Sequence, residues 1–258
     1  MRGPLRQSPR AAARRERFMP WWLPLAILGA TAFALWLLFP KTYIEQTLRA
    51  QTRPNAATLA YLQLLVKANP DNLSTRLMLI EKALLVQNLP LARQALAHWR
   101  NRPLETLPLD IARARLHLLR LELLAGPPQA PERQQRVARY TRDLLQLAPR
   151  LTTEQALQET RFTLQLGAYA TVAAVDRTLL RRTAQPALRE QVYTQGITAL
   201  LAGGQPRAAL AFARTEMGHV PHNDALWRRL IRLALAAGQP ELAARCARRL
   251  VGLPEPAG

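Results

Sequence analysis

The sequence contains a single cysteine, Cys246, in 258 residues. One cysteine excludes an intrachain disulfide, a zinc site built from cysteines and a CxxC redox pair. The Walker A, GxSxG, HExxH and GxGxxG motifs of common enzyme and nucleotide sites are also absent. The acidic residues are scattered, with no pair spaced for acid–base catalysis. The sequence therefore predicts a protein that is not an enzyme, with no catalytic residues, no metal ligands and no cofactor.

Lysine is scarce too, since only three of the 36 basic residues are lysines and the other 33 are arginines. The net charge of +19 at pH 7 is typical of proteins that bind nucleic acid, an anionic polymer or a membrane surface. An arginine-rich and alanine-rich chain with little lysine is equally explained by the base composition of its gene. The function of the positive charge therefore stays open, and the absence of an aromatic stacking platform disfavours nucleic acid.

Alternating runs of β-branched and aromatic residues are rare, and there are only 11 glycines. Alanine, leucine, arginine and glutamine dominate, and all four are good helix formers. The sequence therefore predicts an all-α fold.

Residues 21–39 form an apolar run of 19 residues without a charge. At about 1.5 Å per residue, a helix of this length spans ~28 Å, close to the hydrocarbon thickness of a bilayer. Aromatic residues stand at both ends of the run, as in the aromatic belts of membrane proteins. We expect a basic tail at 1–20, a transmembrane helix at 21–40 and a juxtamembrane linker at 41–55.

The charges that flank this run predict its orientation. Six arginines precede it, and only Lys41, Arg49 and Arg53 follow it within 20 residues. This bias places the N-terminus in the cytoplasm and the C-terminal domain in the periplasm, across a bacterial inner membrane. The alternative is a cleaved signal peptide with a site near 30–34. We prefer an anchor, because the run exceeds the usual length of a signal-peptide core and cleavage would leave an exposed apolar end.

Beyond Lys41 the apolar residues recur with the 3.6-residue period of helices, and turn signals interrupt them at short intervals. Such spacing predicts helical hairpins. We expect a first group of hairpin-forming helices at 56–102 and a degenerate or spacer helix pair at 103–150. Further hairpins are expected at 151–253, followed by a short tail at 254–258.

A repeat is visible near the C-terminus. GQPRAALAFAR, at residues 204–214, recurs as GQPELAARCAR at 238–248, an offset of 34 residues. Tyr193 and Trp227 each lie eleven residues before the repeated glycine, and Ala209 and Ala243 fill a small-residue position. This pattern resembles tetratricopeptide repeats, whose period is 34 residues. The resemblance implies an α-solenoid of stacked helical hairpins behind the anchor.

In that family, the first helix of each hairpin lines a concave groove that binds partner proteins. Carried onto this chain, the groove positions are Lys82, Arg161, Arg228, Arg232, Thr75, Met78, Gln191 and Thr194. The basic members of this set would suit carboxylates, which arginine binds through paired hydrogen bonds. The alternative is that they are ordinary solvated arginines on helix surfaces.

Residues 37–97 carry a second pattern. It runs from FPK at 39–41 through TLAYL at 58–62 and NPDNL at 69–73 to Arg76 and Leu77. This is similar to the start of large envelope tetratricopeptide proteins of exopolysaccharide export, such as those of the Pel system. The similarity implies an inner-membrane scaffold that recruits envelope proteins of exopolysaccharide secretion. The alternatives are a chaperone-like accessory of the secretion translocon or of cytochrome maturation, and direct binding of an anionic polysaccharide or lipid.

Overall fold

The structure is a computed structural model, and it describes residues 22–38, 54–127 and 129–253. Within these ranges it contains twelve α-helices and four short 3₁₀ helices, and no strand. The all-α class predicted from the sequence is therefore confirmed. The predicted basic tail at 1–20 and the C-terminal tail at 254–258 lie outside the described residues, as does most of the predicted linker.

The helices follow one another with short connections. They are α1 (Trp22–Leu38), α2 (Ala56–Ala68), α3 (Leu73–Leu85), α4 (Leu89–Leu96), α5 (Leu109–Ala125), α6 (Arg133–Leu147), α7 (Thr153–Gln165), α8 (Tyr169–Arg182), α9 (Pro186–Ala202), α10 (Pro206–Glu216), α11 (Asp224–Ala236) and α12 (Pro240–Leu250). The 3₁₀ helices are Ala97–Trp99, Leu104–Thr106, Ala148–Arg150 and Met217–His219. From α3 onward we call the odd-numbered helices the first helices and the even-numbered ones the second helices.

The chain divides into two compact units between Pro54 and Asn55. The first unit contains α1, a helix of 17 residues that covers most of the predicted transmembrane range. Leu25, Leu28 and Phe33 are among its exposed apolar side chains. Among the helices that the structure describes, none combines the length and the apolar character needed to span a membrane.

The second unit contains α2–α12, and side-chain caps mark where several of its helices begin. The side-chain oxygens of Asn55, Asn72, Asn88 and Asn223 each accept a hydrogen bond from a backbone N–H in the first turn. These bonds satisfy donors that a helix N-terminus otherwise leaves unpaired. Thr152 forms a reciprocal capping box at the start of α7.

Glycines in the left-handed region join the last three helix pairs. Gly167, Gly204 and Gly238 have φ values of 72°, 68° and 71° and lie two residues before α8, α10 and α12. An L-residue with a side chain is strained at such angles, so glycine suits these turns. At the α3–α4 turn the same role falls to Gln87, with φ of 57°.

Most consecutive helices of the second unit pack on one another. Helices α6 and α7 meet through side chains, with the rings of Tyr140 and Phe162 edge to face at 5.4 Å between centroids. First helix α3 also packs on α5, and second helix α8 packs on both α6 and α10. Tyr140, Tyr193 and Phe212 are among the largest fully buried side chains of this core. The core is therefore built from hairpin against hairpin, which leaves grooves between successive first helices and crevices between successive second helices.

Candidate functional site

A groove of about 390 Å³ lies between the first helices α3, α5 and α7. Its charged walls carry both signs, and its apolar lining comes from α3, α5 and the connection that precedes α7. The charged and imidazole side chains are Glu81, Asp110, Arg113, His117, Arg120 and Glu159, and the apolar ones include Leu84, Leu85, Leu116 and Leu151. Apolar contacts and paired charges in one groove can fix both the position and the direction of a bound chain.

Glu159 is the centre of the polar contacts on the α7 side. Its carboxylate lies 3.6 Å from Arg120 of α5 and accepts a hydrogen bond of 2.6 Å from the Tyr140 hydroxyl. Burial first, and then the Glu159 charge, raise the pKa of Tyr140 above its usual range, so the phenol stays protonated and donates. Arg120 also lies over the Phe162 ring, 4.9 Å from its centroid. These contacts hold Arg120 and Glu159 in fixed positions along the groove wall.

His117 lies between the charged groups of α5. Burial, followed by the nearby Arg120 charge, lowers its pKa below 6.5. The imidazole is therefore neutral at neutral pH, where it can either donate or accept a hydrogen bond.

Two hydrogen bonds extend the contacts between first helices beyond the groove. The Gln195 side-chain amide of α9 donates to the Thr160 hydroxyl of α7 at 3.0 Å. Arg229 of α11 donates to the Thr194 hydroxyl of α9 at 2.7 Å. Together with the Arg120–Glu159 pair, these bonds join α5, α7, α9 and α11 in series.

The structure divides the eight sequence-predicted groove residues into two sets. Arg161, Gln191, Arg228 and Arg232 are exposed on α7, α9 and α11. Thr194 is half-buried and is held by Arg229, as described above. None of these residues is among those that line the groove: Arg161 lies elsewhere on α7, and the others lie on α9 and α11.

Thr75, Met78 and Lys82 on α3 are placed differently from the prediction. They are only 8%, 5% and 7% exposed, because the helix face that carries them lies within the core of the second unit. Helix α3 packs against α2, α4 and α5, which leaves only a narrow face of it open. The groove-lining residues of α3 are instead the neighbouring Glu81, Leu84 and Leu85.

Sequence reasoning missed the groove residues of α5, because it interpreted 103–150 as a degenerate or spacer pair. A signal was present: Asp110, Arg113, His117 and Arg120 recur at intervals of three, four and three residues. This spacing forms a polar stripe on one face of a helix.

Within the described residues, no group of three or more histidine, cysteine, aspartate or glutamate side chains is placed to hold a metal ion. No family model, no curated protein and no solved structure matches the chain. The interpretation of the groove therefore depends on its own geometry and charge.

Proposed function

We propose that this protein is a membrane-anchored scaffold that holds an extended segment of a partner protein along its first helices. In this proposal the second unit, helices α2–α12, is a tetratricopeptide-like α-solenoid. The observation that carries the proposal is the groove between α3, α5 and α7, with about 390 Å³ of space and residues of both charges around an apolar floor. An extended partner segment with apolar side chains and flanking charges would fill such a groove, whereas a partner with a flat surface could not enter it.

The groove gives the partner a charge pattern. Glu81 and Asp110 lie on its α3 and α5 walls, and a basic side chain of the partner would pair with them. The exposed Arg161, Arg228 and Arg232 on the later first helices would pair with acidic side chains. We therefore expect a partner segment that is basic at one end and acidic at the other, because charge complementarity sets orientation.

The anchor is the second part of the proposal. The 19 uncharged residues 21–39, most of which lie in α1, support a single pass through a bacterial inner membrane. The arginines before this run favour an N-terminus in the cytoplasm and a second unit in the periplasm. The partner is then a protein of an envelope complex, and the protein works by recruitment, without enzyme chemistry.

Site-specific photo-crosslinking in intact cells tests the groove. A photoreactive phenylalanine replaces Gln158 or Arg113, both exposed residues that line the groove. Gln134 on α6 and Arg207 on α10 are exposed control positions on second helices. We expect the two groove positions to capture the same envelope protein, identified by mass spectrometry, and the controls not to capture it. Capture of the same species from all four positions, or of lipid or polysaccharide alone, would contradict the proposal.

A charge reversal tests the basic end of the partner site. Replacing Arg161, Arg228 and Arg232 together by glutamate removes the groups expected to meet the acidic end of the partner. We expect the crosslink from Gln158 to weaken, since opposite charges are replaced by like charges. An unchanged crosslink would exclude these three arginines from the site.

A further inference from the structure

Another cavity, of about 240 Å³, lies at the last hairpin. Residues of the second helices α10 and α12 and of the first helix α11 line it. We call it the α10/α12 crevice. Its floor is apolar and includes Leu210, Leu230 and Leu242, whereas Arg214, Arg245 and Arg249 stand around it. It shares no residue with the groove of the first helices.

The three arginines give the crevice a strongly positive character. No acidic side chain is among the described residues that line it, and Glu241, one turn before Arg245, is not part of its wall. Burial raises the pKa of the Cys246 thiol at the floor, and the charges of Arg249, Arg245 and Arg214 oppose that rise. All three guanidinium groups therefore act on the same small apolar space.

Trp227 closes one side of the crevice. The Arg249 guanidinium lies over its indole ring, 5.6 Å from the centroid. This cation–π contact fixes Arg249 at the edge of an aromatic wall. The crevice thus offers an aromatic and aliphatic surface next to cationic hydrogen-bond donors.

The preceding crevice, between α8 and α10, shows what such arginines bind. There the Glu216 carboxylate, 1% exposed, accepts a 2.8 Å hydrogen bond from Arg177 and lies 3.8 Å from Arg181. His219 is a third basic neighbour, at 3.7 Å. A carboxylate supplied by the chain therefore neutralises the arginines of the α8/α10 crevice.

The positive-φ glycines set the register between the two crevices. Counted from the helix starts at Tyr169, Pro206 and Pro240, Arg177 and Arg214 occupy the same position on α8 and α10. By the same count, the residue of α12 that matches Glu216 of α10 is Leu250. Among the described residues, the α10/α12 crevice therefore keeps the arginine and has a leucine at the position of the acid.

We propose that the α10/α12 crevice binds a small organic carboxylate with an apolar body, whose carboxylate takes the place that Glu216 fills in the neighbouring crevice. The apolar body lies against the leucine floor and Trp227. The size of the cavity limits that body to about one aromatic ring or a short acyl chain, since larger ligands occupy pockets of roughly 300 Å³ or more.

Calorimetric titration of the full-length protein in a neutral detergent tests the ligand class. The probes are 3-phenylpropanoate, its neutral analogue 3-phenylpropanol, and acetate, which has the charge without the apolar body. We expect saturable one-to-one binding of phenylpropanoate and at least tenfold weaker binding of the other two. Equal binding of the alcohol or of acetate, or no saturable binding of phenylpropanoate below ~1 mM, would overturn the proposal.

Single substitutions test the location. Arg214→Gln and Arg245→Gln should each weaken phenylpropanoate binding about tenfold, because a hydrogen bond to a charged group contributes about that much. Arg207→Gln and Arg248→Gln remove exposed arginines of the same two helices that do not line the crevice, and they should leave the affinity unchanged. Equal losses in all four variants, or no loss in any, would show that the crevice is not the site. Circular dichroism of each variant checks that the helices remain intact.

Discussion

The α8/α10 and α10/α12 crevices share the position of one arginine, Arg177 in the first and Arg214 in the second, and differ in the residue that stands at the position of Glu216. Both lie between successive second helices that begin after a glycine with positive φ. In the first, Glu216 neutralises Arg177 and Arg181; in the second, Leu250 stands at the matching position. Helices that begin after the same kind of turn therefore form one crevice held by ion pairs and one whose described lining contains three arginines and no acid.

The last two hairpins, α9–α10 and α11–α12, also differ in which of their two helices carries the large interior side chain. Gly196 of α9 faces Phe212 of α10 so closely that an added Cβ would lie 2.7 Å from the ring. Thirty-four residues later, the matching residues are Leu230 and Cys246, which both line the α10/α12 crevice. The large side chain has moved from the second helix to the first, so one repeat pattern supports two different packings.

The largest expected effect comes from removing the buried ring in the tighter hairpin. Phe212→Ala should lower the free energy of unfolding by about 4 kcal/mol, because it removes a fully buried aromatic ring and leaves a cavity. The matched change Cys246→Ala should cost about 1 kcal/mol, since the thiol is small. Urea unfolding followed by circular dichroism measures both. Equal losses would mean that the two hairpins are packed alike.

The next effect tests the close approach of α9 and α10. Gly196→Ala should destabilise the protein by about 2 kcal/mol, because the new methyl group overlaps the Phe212 ring. Gly218→Ala is the control, since an added Cβ there meets nothing within 4 Å. Thermal unfolding of the two variants compares them directly. A Gly196→Ala protein as stable as the control would show that the helices can separate without cost.

The charge difference itself should contribute less. Glu216→Gln should lower the free energy of unfolding by about 1.5 kcal/mol, because it weakens the charged hydrogen bond to Arg177. The loss stays modest because Arg177 and Arg181, at 43% and 62% exposed, can turn to solvent. Glu132→Gln breaks an exposed ion pair with Arg136 and should have almost no effect in the same urea titration. If Glu216→Gln lost no more stability than this control, the Glu216 carboxylate would not stabilise the fold.

Replacing Asp176, the residue next to Arg177, should change the free energy of unfolding least of all when it is measured at low pH. Asp176 is fully buried, and neither carboxyl oxygen has a hydrogen-bond partner among the described residues. Burial raises its pKa well above the usual value. The stability of the folded state should therefore fall as the pH rises from about 4 toward the raised pKa, because only the unfolded chain ionises in that window.

Asp176→Asn should remove this pH dependence, since the amide does not titrate. We expect the variant to differ little from the wild type near pH 4 and to gain on it as the pH rises. Urea unfolding at pH 4, 6 and 8 measures the gain, and Asp110→Asn, at an exposed position, is the control. A gain that is constant across the three pH values would mean that Asp176 is ionised in the folded state.

The sequence indicated the helical fold because its signals are local. Periodic leucines, Gly204 and Gly238 before their helices, and asparagine caps are each decided within a few residues. The α3–α4 turn shows the limit of such signals, because the residue with positive φ there is Gln87 and not a glycine.

The groove was harder to predict because it depends on how helices turn toward one another. Thr75, Met78 and Lys82 share a helix face, and only the packing of α2, α4 and α5 around α3 decides that this face is buried. The α10/α12 crevice depends on an absence, a leucine where a neighbouring repeat has a glutamate. Such a feature becomes visible only when the ion pair of the neighbour is known.

One substitution tests the claim that a single missing acid separates the two crevices. Leu250→Glu supplies the carboxylate at the position that matches Glu216, where it can pair with Arg214. We predict that this variant stays folded and loses calorimetric binding of 3-phenylpropanoate, while the photo-crosslink from Gln158 in the groove is unchanged. A Leu250→Glu protein that binds the carboxylate with wild-type affinity would contradict the account.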